Sequence, residues 1–191
     1  MKIQKKHHQE PWNIWFNGHR FNEKIDFQSL WNKIEKDNNL IFGRNYFNHT
    51  ATWYGRVDYA YTGVRHKAQD MPSEFLRIAR KLEDEFKYPR GYFNCVLANA
   101  YNNKGIAPHS DDELIFVQDD GTIGAVATIS LGEPTTITIS RKDNSKPDTV
   151  FEQRDGDIYI MPEGDFQYKY KHSASPSKGK RISITFRHIG I

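Results

Sequence analysis

Residues 181–187 read Arg-Ile-Ser-Ile-Thr-Phe-Arg. Positions 181, 183, 185 and 187 are polar and positions 182, 184 and 186 apolar, an alternation that predicts a β-strand with one face in a hydrophobic layer. What the other face meets decides the fold. Two arginines and two hydroxyls can face water, or they can line a polar cavity inside a barrel. In a cavity, an arginine suits a dicarboxylic acid, because its planar fork bonds a carboxylate bidentately.

Upstream, Asn99 and Tyr101 repeat the device: two polar groups on one face of the run FNCVLANAY, residues 93–101. A strand-end asparagine and a half-buried tyrosine would look the same. Further short β-rich runs are GAVATISLG, TTITIS, DTVFEQ and GDIYIM. Gly105, Asp120-Gly121, Glu133-Pro134, Asn144-Ser145, Asp155-Gly156, Glu163-Gly164 and Lys178-Gly179 supply the breaks.

Ahead of residue 92 the pattern is helical. Asp26 can cap a turn leading into Phe27, Leu30, Trp31 and Ile34, which share one face. Pro72 suits a first helical turn, and Phe75, Ile78, Ala79, Leu82 and Phe86 follow at helical spacing. Tyr88-Pro89-Arg90-Gly91 stops that helix. Residues 45–67, rich in Tyr, Trp, Gly and Arg, read as short strands and loops over a site. Helices first and strands second predict a mainly β fold, an antiparallel barrel or sandwich braced by helices on one face.

The 191 residues fit one domain, and 37% hydrophobic with 14% aromatic content excludes a disordered chain. No apolar run approaches the roughly 20 residues that cross a bilayer. The start, MKIQKKHHQEPW, is basic but lacks the apolar segment of a secretory signal. A single cysteine, Cys95, excludes an internal disulfide and fits a reducing compartment, so a cytoplasmic protein is expected, or a nuclear one in a eukaryote. The net charge of +3 permits a polyanionic partner without demanding one.

His109-Ser110-Asp111 follows Pro108 near the start of an extended run. Residues two apart on a strand share a face, so His109 and Asp111 can converge on one ion. His172, past the GDIYIM run, offers a second imidazole. Two histidines and a carboxylate occupy one face of an iron and leave three positions open, as oxygen activation with a chelating cosubstrate requires. A lone His-x-Asp carries little weight, because surface His-Ser-Asp is common.

Taken together, Asn99-x-Tyr101, His109-x-Asp111-x-Glu113, Ser130-Leu131-Gly132, Gly156-Asp157, His172 and Arg181-x-Ser-x-Thr-Phe-Arg187 resemble the ordered motifs of the AlkB family of Fe(II)/2-oxoglutarate-dependent dioxygenases. The resemblance spans roughly Tyr54 to His188. It implies a double-stranded β-helix, a jelly-roll or cupin-like barrel, over residues 92–191. Residues 1–91 would then hold helices and a nucleotide-recognition lid, all in one domain over 1–191. It also implies Fe(II), 2-oxoglutarate and dioxygen as cofactors. The implied reaction is oxidative demethylation of N-alkylated bases, of the 1-methyladenine or 3-methylcytosine type, in DNA or RNA, releasing formaldehyde, succinate and CO2. The partner would be nucleic acid, single-stranded or with its base flipped, and the enzyme a monomer away from membranes.

Residue by residue, the resemblance implies that His109, Asp111 and His172 bind iron(II) and that Arg181 pairs with the distal carboxylate of 2-oxoglutarate. Asn99 and Tyr101 would hydrogen-bond the cosubstrate, with Thr185 packed beside them. Arg187 would lie near Asp111 and the substrate base, and Glu113 would read the base. Ser183 departs from the pattern, since some members carry asparagine there. Tyr59-Ala-Tyr61-Thr-Gly63 resembles the lid, with Tyr61 stacking on the flipped base and His109 as the opposite wall. Arg56, Arg65, His66 and Lys67 could meet phosphates, while Trp53 and Tyr54 fit a core as well as a lid.

Three other readings compete. A 2-oxoglutarate oxygenase acting on a protein or small molecule shares the iron site but has no use for Glu113, Tyr61 and a basic lid. A nucleic-acid-binding module with a vestigial metal site leaves the intact triad unexplained. A cupin-like metal protein without 2-oxoglutarate leaves Arg181 unexplained.

Overall fold

The computed structural model describes residues 15–44 and 48–190; the basic start of the chain and residue 45, where the segment over the site was expected to begin, lie outside them. In chain order the elements are β1 (Trp15–Arg20), α1 (Phe27–Lys36), β2 (Leu40–Phe42), β3 (His49–Tyr54), β4 (Tyr59–Tyr61), β5 (Val64–His66) and α2 (Ser73–Phe86). Next come β6 (Cys95–Asn102), β7 (Ile106–His109), a 3-10 turn at Leu114–Phe116, β8 (Val126–Gly132) and β9 (Thr135–Arg141). The last are β10 (Thr149–Gln153), β11 (Asp157–Met161), α3 (Phe166–Lys169), β12 (Tyr170–Ala174) and β13 (Lys180–Arg187).

Three antiparallel sheets result. The largest runs β1-β11-β8-β13-β6-β3, the second β10-β9-β12-β7, and a small third one β2-β5-β4. The mainly β, jelly-roll architecture expected from the sequence is present, as two facing sheets rather than a closed barrel. Strands ahead of residue 92 belong to this framework too: β3 lies alongside β6, and β1 alongside β11.

The alternation of residues 181–187 explains the layering. Ile182, Ile184 and Phe186 are buried with Val96, Ala98 and Ala100 of β6 against Leu30, Trp31 and Ile34 of α1 and Phe75, Ile78, Ala79 and Leu82 of α2. Both helices thus cover one face of the large sheet. Asp26 caps α1 as its sequence predicts, accepting the Ser29 N–H at 2.8 Å. Pro72 stands one position ahead of α2 rather than inside its first turn, and its carbonyl accepts the Leu76 N–H at 3.0 Å. The opposite face of the sheet looks toward the second sheet, and the polar residues of β13 stay buried there.

Two elements differ from the sequence reading. His172 lies within a strand, β12, not after one. Along β12, Tyr170, His172 and Ala174 point inward and Lys171 outward. A histidine at an inward position hides the apolar alternation that marks a strand. The run after His109 is the second difference: β7 ends at His109, and residues 110–113 have no regular structure before the 3-10 turn. Strand alternation therefore does not bring His109 and Asp111 together. Pro108, in β7 at the edge of its sheet, needs no ladder donor there.

Candidate active site

Strand register assembles one polar wall. Tyr101 of β6 faces Arg181 of β13, and on the outer side of Tyr101 stands His49 of β3. One step along, Asn99 faces Ser183, which in turn faces Ser130 of β8. Next, Thr185 faces Thr128, which faces Tyr159 of β11. Side chains two apart on each strand share a face, so these residues form a continuous surface. Arg181 is 2% exposed; its Nε donates to Ser130 Oγ at 2.9 Å and its Nη2 to Gln153 Oε1 at 3.4 Å. Its guanidinium carbon stands 5.4 Å from the Tyr101 ring centroid. Ser183 Oγ and Thr185 Oγ1 are 3.4 Å apart, both buried. A buried arginine with acceptors on only part of its fork is suited to a carboxylate.

The opposite wall carries the candidate metal ligands. His172 of β12 is the cross-strand partner of His109 of β7, and their ring centroids lie 4.2 Å apart. Asp111 completes the group, and the three ligand atoms all fall within 4.8 Å of one another. Side-chain anchors, rather than a strand, fix the aspartate: Gln167 Oε1 accepts its N–H at 3.0 Å, and Ser110 Oγ donates to Tyr170 O at 2.7 Å. Arg187 Nη2 donates to Asp111 Oδ1 at 2.8 Å, tying the large sheet to the metal group. Asp111 Oδ2 is buried with no hydrogen-bond partner among the described residues. Leaving such an acceptor unpaired is costly, and a cation between it and two imidazoles would satisfy it.

The electrostatics agree. Burial opposes ionisation of Asp111, but the charge and hydrogen bond of Arg187 together with the two neighbouring imidazoles outweigh it and hold the carboxyl well below the usual range. Burial lowers His172 to about 3, keeping it in the neutral form that a metal requires. His109 Nδ1 lies 2.9 Å from Ala107 O, which makes Nδ1 the protonated nitrogen and leaves Nε2 as the ligand atom.

Between these walls lies a cavity of about 440 Å3. It is lined by all three candidate ligands, by Asn99, Tyr101, Arg181, Ser183, Thr185 and Arg187, and by Tyr59, Tyr61, His66 and Glu113 of the lid side. Glu113 reaches it because the chain turns after Asp111, not because a strand continues. Tyr59 OH donates to Glu113 Oε1 at 3.1 Å. Burial, reinforced by the Asp111 charge, raises Glu113 to about 7. Asp112 faces elsewhere and pairs with Lys142 at 3.0 Å. Tyr61 is half-buried, 4.9 Å from the Tyr59 ring and stacked over His66 at 5.9 Å.

Several expectations change. His66 does not meet phosphates: it is fully buried, with Nδ1 3.1 Å from Asn39 Oδ1, and burial lowers it to about 4. Arg65 is held by Asp58 at 2.7 Å. Trp53 and Tyr54 are core. Arg44 and Lys104, both exposed, stand on the cavity lining and so at its mouth. Sequence reasoning also missed Thr128 and Tyr159 on the polar wall, and took Ser130 only as part of the Ser130-Leu131-Gly132 motif. The signal was present: Thr128 and Ser130 alternate with Ala127, Ile129 and Leu131, and Tyr159 stands between Ile158 and Ile160. Gln153 and Gln167 have no such local pattern.

Residues 18–187 match the model of the 2OG-Fe(II) oxygenase superfamily. The chain belongs to that superfamily. Its cofactors are accordingly Fe(II), 2-oxoglutarate and dioxygen. Over 140 residues the superfamily member is 32% identical to an RNA replication protein of Papaya mosaic potexvirus, covering 71% of this chain but only 8% of that protein's length. Among solved structures it is similar to OsALKBH1, with a TM-score of 0.59 and 15% identity, over 84% of this chain and 91% of that one. The AlkB resemblance of the motifs is thus matched at the level of the fold. No helix among the described residues is long and apolar enough to cross a membrane.

Proposed function

We propose that this oxygenase demethylates N-alkylated bases of the 1-methyladenine and 3-methylcytosine type in nucleic acid, and that RNA is its substrate. The observation that carries this reading is the single cavity in which aromatic Tyr59 and Tyr61 and the acidic Glu113 stand together with His109, Asp111 and His172. Tyr61 stacks on the extruded base, and Glu113 accepts hydrogen bonds from its exocyclic amine or neighbours its positive charge. Arg44 and Lys104 at the mouth, rather than Arg65 and His66, meet the flanking phosphates. RNA is favoured over DNA because the 32% identical relative is an RNA replication protein. The chain carries this activity in one oxygenase domain, as a monomer.

In this reading His109, Asp111 and His172 hold Fe(II), with Asp111 kept ionised by Arg187. Arg181 grips the distal carboxylate of 2-oxoglutarate, Asn99 and Tyr101 hydrogen-bond the cosubstrate, and Thr185 packs beside them. The bound iron and cosubstrate supply the oxidation, so that N-methyl base, 2-oxoglutarate and dioxygen become base, formaldehyde, succinate and CO2. The protein orients the methyl group, neutralises the cosubstrate charge and excludes bulk water. Mass spectrometry of matched RNA and DNA oligonucleotides bearing either lesion tests the proposal. Methyl loss from RNA exceeding that from DNA is expected. Equal or greater loss from DNA would contradict the RNA assignment, and no loss from either would contradict base demethylation itself.

A further inference from the structure

His49 opens β3, the edge strand of the large sheet, opposite Tyr101 and diagonal to Asn99. Its imidazole stacks on the Tyr101 ring, centroids 4.4 Å apart and planes 12° from parallel. Its Nε2 lies 3.0 Å from Asn99 Oδ1, and it lines the same cavity as Arg181 and the metal group. No part of the sequence pattern marks it. It lies beside the polar wall, yet belongs neither to the metal group nor to the contacts of Arg181.

We infer that His49 is a positioning residue for 2-oxoglutarate: by donating its Nε2–H to the Asn99 carbonyl, it turns the Asn99 amide so that its NH2 faces the cosubstrate. The inference rests on the proposed role of Asn99. Hydrogen-bond polarity decides which way the amide must face. At neutral pH 2-oxoglutarate is a dianion that offers two carboxylates and a ketone, all acceptors, so the wall that binds it must present donors. Arg181 is donor-only and the Tyr101 hydroxyl can donate, but an asparagine amide presents either sign depending on which way it is turned. A carbonyl turned inward would set an acceptor against an acceptor. Burial holds the His49 imidazole below its ordinary value, so the ring is neutral and carries a single proton. Committed to Asn99, that proton occupies the amide oxygen and leaves the amide hydrogens to the cavity. The stack on Tyr101 keeps the ring edge aimed at the amide, and Arg181 lies over the same tyrosine. A side chain on the neighbouring strand thereby sets the polarity of a contact it does not itself make.

The alternative is that His49 only packs against Tyr101, and two substitutions separate the cases. His49→Phe keeps a ring to stack but has no N–H; His49→Gln loses the ring but keeps an N–H donor. Titration calorimetry of 2-oxoglutarate into the full chain loaded with Mn(II) reads affinity without turnover, and thermal melting of each variant checks the fold. Positioning predicts about three- to tenfold weaker binding for His49→Phe, the size of one neutral hydrogen bond, and binding near wild type for His49→Gln. It also predicts that His49→Phe adds nothing once Asn99→Leu is present, since both act through one contact. Weak binding by His49→Gln with normal binding by His49→Phe would overturn the inference in favour of packing. Additive losses in the double variant would also overturn it. If Asn99→Leu binds 2-oxoglutarate as wild type does, the role of Asn99 fails and the inference with it. If Asn99→Leu binds weakly while His49→Phe binds normally, only the inference about His49 fails.

Discussion

The cavity has two sides of unlike construction. The polar wall runs across five hydrogen-bonded strands, β3, β6, β13, β8 and β11, with Tyr101, Arg181, Ser183, Ser130, Thr128 and Tyr159 placed by register. Its reverse face is buried under two helices. The lid sheet has only three strands, each three residues long, and leans on side-chain anchors. Asn39 Nδ2 donates to Trp53 O at 2.7 Å and to Lys67 O at 2.5 Å, while Asp58 Oδ1 accepts the Ala68 N–H at 2.8 Å. Under the proposed function, the groups that would hold a small cosubstrate in one geometry stand on the five-stranded wall. The groups that would, under the same proposal, admit a bulky base stand on the side with fewer backbone ladders to hold it closed.

The comparison breaks most visibly at the junction between the sheets. His109→Ala, Asp111→Ala or His172→Ala should each abolish iron-dependent turnover. Their stabilities should differ: Asp111→Ala also leaves the Arg187 guanidinium buried and unpaired, a loss of about 3–5 kcal/mol, whereas the two histidine variants melt nearer to wild type. Denaturant unfolding of the metal-free variants measures this difference. Equal stability across the three would show that Arg187 does not depend on Asp111.

On the rigid wall, Arg181→Lys keeps the charge but loses the fork and the bond to Ser130. Affinity for 2-oxoglutarate should fall roughly ten- to hundredfold, with little change in RNA affinity. Calorimetry of both ligands separates the two effects.

The smallest effect belongs to the lid and to pH. His66 is lowered by burial from 6.5 to about 4, so the folded lid favours its neutral form. Its stabilising contribution is complete above pH 6.5 and is lost as pH falls toward 4, because the unfolded chain takes up the proton first. Amide exchange of residues 64–66, corrected for its intrinsic pH dependence, should report lid opening that becomes easier across that interval, while exchange in β13 stays nearly level. Parallel changes in both regions would mean that the lid does not open on its own.

The same contrast governs what can be read from the sequence. The rigid wall is legible because a strand with one apolar face writes its period into residues 181–187, and Thr128, Ser130 and Tyr159 carry the same period. His109, Asp111 and Glu113 can be named from their motif, but not the geometry that joins them. That geometry comes from Gln167, Ser110 and Arg187, which lie on other elements or hydrogen-bond to them. β12 is hidden by the histidine it serves to position. In the lid, sequence alone cannot tell a surface cation from a buried one, so His66 reads like its neighbours although Asn39 and the core enclose it.

The central claim is that the lid side selects a base for chemistry performed on the other side. The most direct test follows succinate and demethylated base together, with an RNA oligonucleotide carrying 1-methyladenine, in wild type, Tyr61→Ala and Glu113→Ala. In the wild type about one succinate should accompany each methyl group removed. Tyr61→Ala should weaken RNA binding by about 1–3 kcal/mol through lost stacking, and demethylation should drop far more than substrate-free succinate formation. Glu113→Ala should shift the preference between alkylated adenine and cytosine. Both variants demethylating as well as the wild type would contradict the lid assignment, and a wild type that makes succinate but never demethylates any oligonucleotide would contradict the account as a whole.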